Sequence, residues 1–167
     1  LNKIFIFFLI LGIVSFQKLL HHIFLEKLQL SFLSGTVSRV QSDQVKIITA
    51  AQAEKNAFST QIAYAAGLRA HELLTIARSN EQAPDARPAL DTKFEGRDGV
   101  IYTVTGKGGL TRNVLLPASL AIQLENRRLG EVRTAVDRGV FYQQRYDLNG
   151  GNRWSSSFST ASQRALG

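Results

Sequence analysis

Apolar positions divide the chain into stretches of different period. From Ile4 to Phe16 there are 13 apolar or small residues in a row, following Lys3. A helix that spans a bilayer wants about 20 such residues, so this run is short. It has the apolar middle of a secretory signal, but no small-x-small cleavage pattern follows it. Beyond Gln17, Leu19, Leu20, Ile23, Phe24, Leu28 and Leu30 keep a loose helical spacing, with Lys18, Glu26 and Lys27 between them. Three readings of residues 1–36 stand side by side. They form a buried or partner-binding helix, a membrane-associating helix, or a segment foreign to the rest of the chain, translated through a rearranged start.

After Thr36 the punctuation becomes that of a globular domain. Ser42-Asp43 is a helix start, because a side-chain oxygen can accept from free first-turn amides, and Val45, Ile47 and Ile48 give an apolar face to about Ala53. A second helix covers Ala57–Ala66 with Phe58, Ile62, Ala65 and Ala66 inward, and Gly67 ends it. A third begins near Arg69 and carries Leu73, Leu74 and Ile76. Residues 79–91, with Pro84 and Pro88, read as a loop. The period then shortens. Thr92–Glu95, Val100–Thr105 and Arg112–Leu116 read as three strands, separated by the turns Gly96-Arg97-Asp98-Gly99 and Gly106-Lys107-Gly108-Gly109. Pro117 suits a helix start, and Leu120, Ile122, Leu124, Leu129 and Val132 extend that helix to about Val136. From Asp137 to Trp154 the pattern breaks, with Asn149-Gly150-Gly151-Asn152 as a loop, and a last helix runs from Ser155 to Leu166. The expected fold is mixed α+β, mainly α, with helices flanking a small three-stranded antiparallel sheet.

Composition sharpens the division. Residues 1–36 hold six of the ten Phe and no Ala, Arg or Asp, whereas residues 37–167 hold every Ala and every Arg. The chain is therefore read as an apolar N-terminal segment, 1–36, and a domain, 37–167. The net charge of +7 points to a polyanionic partner, nucleic acid or anionic lipid. Zero Cys excludes disulfides, thiolate metal sites and a cysteine nucleophile. With no Met in the sequence, Leu1 is read as a non-standard start or the edge of a fragment.

Few local motifs carry chemistry. His71-Glu72-Leu73-Leu74 begins like a zinc-protease helix, but Thr75 stands where the second His belongs, so no metal is expected. Gly106-Lys107 lacks the Ser or Thr of a phosphate-binding loop. Arg127-Arg128 reads as a solvated helix face. Two elements survive. Gly67-Leu68-Arg69 puts an arginine at a helix junction, three residues before Glu72, and Lys107 sits at a hairpin tip. An arginine fork suits a phosphate. The bland alternatives are a surface ion pair between Arg69 and Glu72 and an ordinary turn lysine.

The stretch Ile62-Ala63-Tyr64-Ala65-Ala66-Gly67-Leu68-Arg69-Ala70-His71-Glu72-Leu73-Leu74 resembles the first conserved box of the tyrosine recombinases, the phage-integrase type. Thr105-Gly106-Lys107-Gly108-Gly109 resembles that family's lysine hairpin, and Val114-Leu115-Leu116-Pro117 its exit strand. The resemblance covers about residues 38–167 and implies an incomplete tyrosine-recombinase catalytic fold. It implies site-specific DNA recombination or integration, in which a tyrosine forms a 3′-phosphotyrosyl link. Arg69 corresponds to the phosphate-clamping first arginine, Lys107 to the lysine that protonates the departing 5′-oxygen, and Glu72 to the acidic residue supporting the first box. Arg69, Lys107 and Arg112 are then the expected DNA contacts. The implied partners are double-stranded DNA and other recombinase protomers, in the cytoplasm and without cofactor, and the implied source is a mobile element.

The departures from the family matter equally. No His-x-x-Arg occurs, and Tyr64, Tyr102, Tyr142 and Tyr146 all lie upstream of where that box should stand. The chain is read as the front half of a catalytic domain, inactive alone because such residues act as a unit. Two other readings remain. One is a non-catalytic DNA-binding remnant that competes for a recombination site. The other is a membrane-associated or partner-binding protein led by residues 1–36.

Overall fold

The computed structural model describes residues 42–86 and 91–167, which lie in one compact unit. The readings of residues 1–36 and of Pro88 fall outside them. In order come α1 (Ser42–Ala50), α2 (Glu54–Ala66), a 3-10 turn (Glu72–Leu74), β1 (Ala77–Arg78) and a second 3-10 turn (Asp91–Phe94). Then follow β2 (Val100–Thr105), β3 (Thr111–Leu116), α3 (Ala118–Glu125), β4 (Arg128–Asp137), β5 (Val140–Tyr146) and α4 (Gly151–Leu166). Helices thus combine with a three-stranded antiparallel sheet in the order β1-β2-β3 and a separate two-stranded sheet, β4-β5.

The core lies between α2 and the first sheet. Phe58 and Ile62 of α2 meet Tyr102 and Val104 of β2, Val114 and Leu116 of β3, and Leu124 of α3. Leu73 and Ile76 fill the space beneath the 3-10 turn, and Tyr146 and Leu148 close it from the β5 side. Helix α2 turns Ala63 inward, whereas Ala65, expected inward, is exposed. In α1, Val45 and Ile48 are buried and Ile47 is exposed. The face is narrower than its three apolar residues suggest.

Three expected elements differ. The third helix is only the turn Glu72–Leu74. Its continuation is drawn into the sheet: the Thr75 hydroxyl accepts the Thr105 N–H at 3.0 Å, and Ala77 and Arg78 pair with Thr103 and Tyr102. The stretch Thr92–Glu95 is a 3-10 turn rather than a strand, so the third strand of the sheet is β1.

The helix expected from Pro117 to Val136 stops at Glu125, and the chain re-enters as β4. Gly130 would weaken a helix interior. Val132, Thr134 and Val136 are β-branched at a period of two, which suits a strand. Arg138 and Gly139 both take positive φ (50° and 78°), the two-residue turn that matches hairpin twist. The supposed break after Asp137 is therefore the second strand of a hairpin. Arg127 and Arg128 are no solvated face either. Arg127 lies 4.5 Å over the Phe58 ring, and Arg128 pairs with Glu81.

Candidate functional site

Gly67 ends α2 in the left-handed conformation, at φ 62°. Leu68 N–H reaches back to Ala63 O at 2.8 Å, which turns the chain sharply and sets Arg69 on the surface. The Arg69 backbone N–H donates to Glu72 Oε2 at 2.7 Å. Glu72 itself is buried, its side chain 3% exposed, and a buried carboxylate needs strong partners. Its second partner is Arg112 of β3, whose Nη2 donates to the same oxygen at 2.9 Å and to Gly67 O at 3.3 Å. The other carboxylate oxygen lies against the β2–β3 hairpin, 3.4 Å from where a Cβ on Gly106 would stand. One carboxylate thus joins the Gly-Leu-Arg turn to the sheet, across 40 residues of sequence, and lies beside the hairpin.

That geometry replaces the simple surface pair of Arg69 with Glu72. The guanidinium that reaches Glu72 belongs to Arg112, and Arg69 contributes only its backbone. Arg112, one of the expected DNA contacts, binds Glu72 and keeps one-third of its side chain exposed. Lys107 projects from the hairpin tip, where Gly108 and Gly109 take φ of 95° and 85° and Gly106 N–H closes onto Leu110 O at 2.8 Å. Arg69 and Lys107 are both exposed, and among the described residues neither side chain has an ionic or hydrogen-bonding partner. The site therefore presents two uncommitted cations on a scaffold held by a committed carboxylate.

Lys107 also borders a cleft of about 480 Å³ between the hairpin tip and β5. Its other walls include His71, Thr75, Tyr142, Gln143 and Arg145, whereas Arg69 and Arg112 are not among them. The His71 ring lies 6.3 Å from that of Tyr142, and its Nε2 is buried without a hydrogen-bond partner among the described residues. The β5 wall is invisible to a reading that takes residues 137–154 as patternless. The signal that reveals it is the alternation of Val132, Thr134 and Val136 ahead of Arg138-Gly139. No group of His, Asp or Glu able to hold a metal occurs among the described residues, nor a helix long and apolar enough to cross a membrane.

A second polar cluster braces the scaffold. Glu125 Oε1 accepts from Tyr102 OH at 2.8 Å and from Tyr146 OH at 2.9 Å, and Arg78 of β1 binds both carboxylate oxygens. Burial would raise the pKa of Glu125, but hydrogen bonds from Arg78, Tyr102 and Tyr146 together outweigh it and hold the group below the ordinary carboxylate value. Burial, then the hydrogen bond to Glu125, pushes the Tyr146 phenol up to about 12 and likewise raises that of Tyr102.

The signs define a window. Stability from the depressed Glu125 is complete above its ordinary pKa of 4.5 and is lost as pH falls through the lower folded value. Stability from the raised Tyr146 is complete below the ordinary 10.0 and is lost as pH rises toward about 12. Thermal unfolding across pH is expected to show a plateau between these limits, falling at both ends. Tyrosinate absorbance is expected to show two late-titrating phenols that ionise only with unfolding.

Searched against protein-family models, curated proteins and solved structures, the chain matches none of them.

Proposed function

We propose that residues 37–167 correspond to the front part of a tyrosine-recombinase catalytic domain from a mobile element, with double-stranded DNA as the partner. The observation that carries this reading is the Glu72 joint, which ties the Gly-Leu-Arg turn to β3 through Arg112 and lies beside Gly106 at the start of the Gly-Lys-Gly turn. The two segments that resemble the family are physically one unit, and each offers a free cation. In this reading Arg69 clamps a backbone phosphate through its planar fork, and Lys107 delivers a proton to the departing 5′-oxygen during strand cleavage. Glu72 and Arg112 act as positioning residues.

These 167 residues do not cut DNA by themselves. They contain no His-x-x-Arg. Tyr102 and Tyr146 are buried donors to Glu125, with phenols pushed away from ionisation, the reverse of what a nucleophile needs. Two free cations in a chain with no His-x-x-Arg also favour the second reading, a remnant that occupies a recombination site.

The test is filter binding of a short duplex at rising salt, alongside a nicked suicide substrate. Salt-sensitive binding is expected, with the slope of log affinity against log salt falling by about 2 in the Arg69→Ala/Lys107→Ala variant, about one for each cation lost. No covalent adduct is expected. Absence of binding at low salt overturns the DNA reading, and an adduct overturns the inactivity.

A further inference from the structure

The outward face of the β4–β5 ribbon is used by neither the Glu72 joint nor the Glu125 cluster. Thr134 stands opposite Gln143, and Val136 opposite Phe141, so the four share one face of the ribbon. The other face carries Tyr142, against His71, and the buried Gln144. Phe141 is 71% exposed and Val136 60%, so two apolar side chains stand bare directly opposite one another on that face.

The ribbon is also tied to the domain at both ends, whereas a free two-stranded hairpin is marginal in water. At its turn, Asp137 accepts the Asn152 N–H at 2.8 Å and so caps α4, while Arg138 donates to the Asn152 side chain at 2.9 Å. At its base, Tyr146 is fixed to Glu125. The exposed face is thus presented in one orientation.

Two observations identify the occupant. Phe141 and Gln143 line the same cleft as Lys107, so a polyanion held at Lys107 continues onto the ribbon. The chain carries a net charge of +7, a balance that attracts DNA and disfavours a second basic copy. The major groove of B-DNA, about 12 Å wide, admits a two-stranded ribbon. Gln pairs with adenine through two hydrogen bonds, Thr meets any base, and an apolar side chain packs on the thymine methyl.

We propose that the outward face of β4–β5 enters the major groove beside the phosphate held at Arg69 and Lys107, with Gln143 and Thr134 at base edges and Phe141 and Val136 against thymine methyls. This rests on the DNA reading given above. It makes the ribbon a sequence-selective element that favours A·T pairs.

The test uses the full chain with Phe141 replaced by photoreactive benzoylphenylalanine. A control carries the same group at Ile122, which is 64% exposed on α3. Both are irradiated with a random-sequence duplex at low salt. A DNA adduct at 141 and none at 122 is expected. In parallel, the Phe141→Ala/Gln143→Ala variant, checked for an unchanged thermal midpoint, is expected to lose a preference of at least about fivefold for A·T-containing over G·C-only duplex, with its salt slope unchanged. Binding that depends on Arg69 and Lys107 but yields no adduct at 141 overturns the inference alone. A protein–protein adduct at 141 assigns the face to a second copy and also overturns it. Failure of the unmodified chain to bind any duplex removes the inference together with the DNA reading.

Discussion

Glu72→Ala is expected to destabilise the chain by about 3 kcal/mol and to weaken duplex binding more than loss of either free cation. The substitution removes no positive charge, so electrostatics alone predicts tighter binding to DNA. The structure argues the opposite. The carboxylate is almost fully buried and satisfies the Arg69 N–H and the Arg112 guanidinium at 2.7 and 2.9 Å. Its removal strands a backbone donor and a guanidinium that is only one-third exposed, and breaking such a pair from one side costs about 3–5 kcal/mol when both partners are buried. Partial exposure of Arg112 places the estimate at the lower end of that range.

The functional loss follows from geometry. Without Glu72, only the Arg112–Gly67 O and Thr75–Thr105 hydrogen bonds tie the Gly-Leu-Arg turn to the sheet, so the separation of Arg69 and Lys107 is set less firmly. Glu72→Gln separates the two effects. It keeps the volume and one carbonyl acceptor for Arg69 N–H, so about half the stability loss is expected, with binding intermediate. Urea unfolding and filter binding on the three proteins decide it. Tighter binding by Glu72→Ala, in step with its added net charge, sinks the positioning role.

The parts of the fold legible in the sequence are those where local chemistry and tertiary need coincide. Gly67 marks the end of α2 because only a left-handed residue there lets the chain turn back, and that requirement is local. The β2–β3 hairpin was legible for the same reason, its turn glycines being needed whatever packs around them. The elements that were not legible are those decided by distant partners. Residues 72–78 carry helix-compatible side chains, yet pairing of Ala77 and Arg78 with β2 outweighs that propensity. Leu129 and Val132 fit a helical period whereas Val132, Thr134 and Val136 fit a strand's, and the choice turns on Arg138-Gly139, several residues on. The site shows the same split. Arg69, Glu72 and Lys107 stand out in the sequence, but that Arg112 rather than Arg69 takes the Glu72 carboxylate is a matter of which strand lies alongside.

The sharpest case is Asn149-Gly150-Gly151-Asn152, read as an open loop and found as a tight crossing. A Cβ on Gly150 would stand 2.6 Å from Leu74 Cγ and 3.0 Å from the backbone oxygen of Ala70. Leu74 is buried, and Ala70 O already accepts the Gly151 N–H at 2.7 Å, so neither can retreat without breaking packing or a hydrogen bond. Gly150→Ala is therefore expected to destabilise the chain by about 3–4 kcal/mol, the sum of overpacking and one disrupted backbone bond. Because Gly150 precedes α4 and the turn of β4–β5 caps that helix through Asp137, the substitution is also expected to raise amide exchange in the ribbon. Gly130→Ala is the control. It lies in β4 with nothing within 4 Å of the added methyl and no positive φ, so its effect is expected to stay within about 0.5 kcal/mol. Equal losses at the two positions would sink the close approach at Leu74 as the cause, because the lost freedom of the unfolded chain favours folding and acts alike at both.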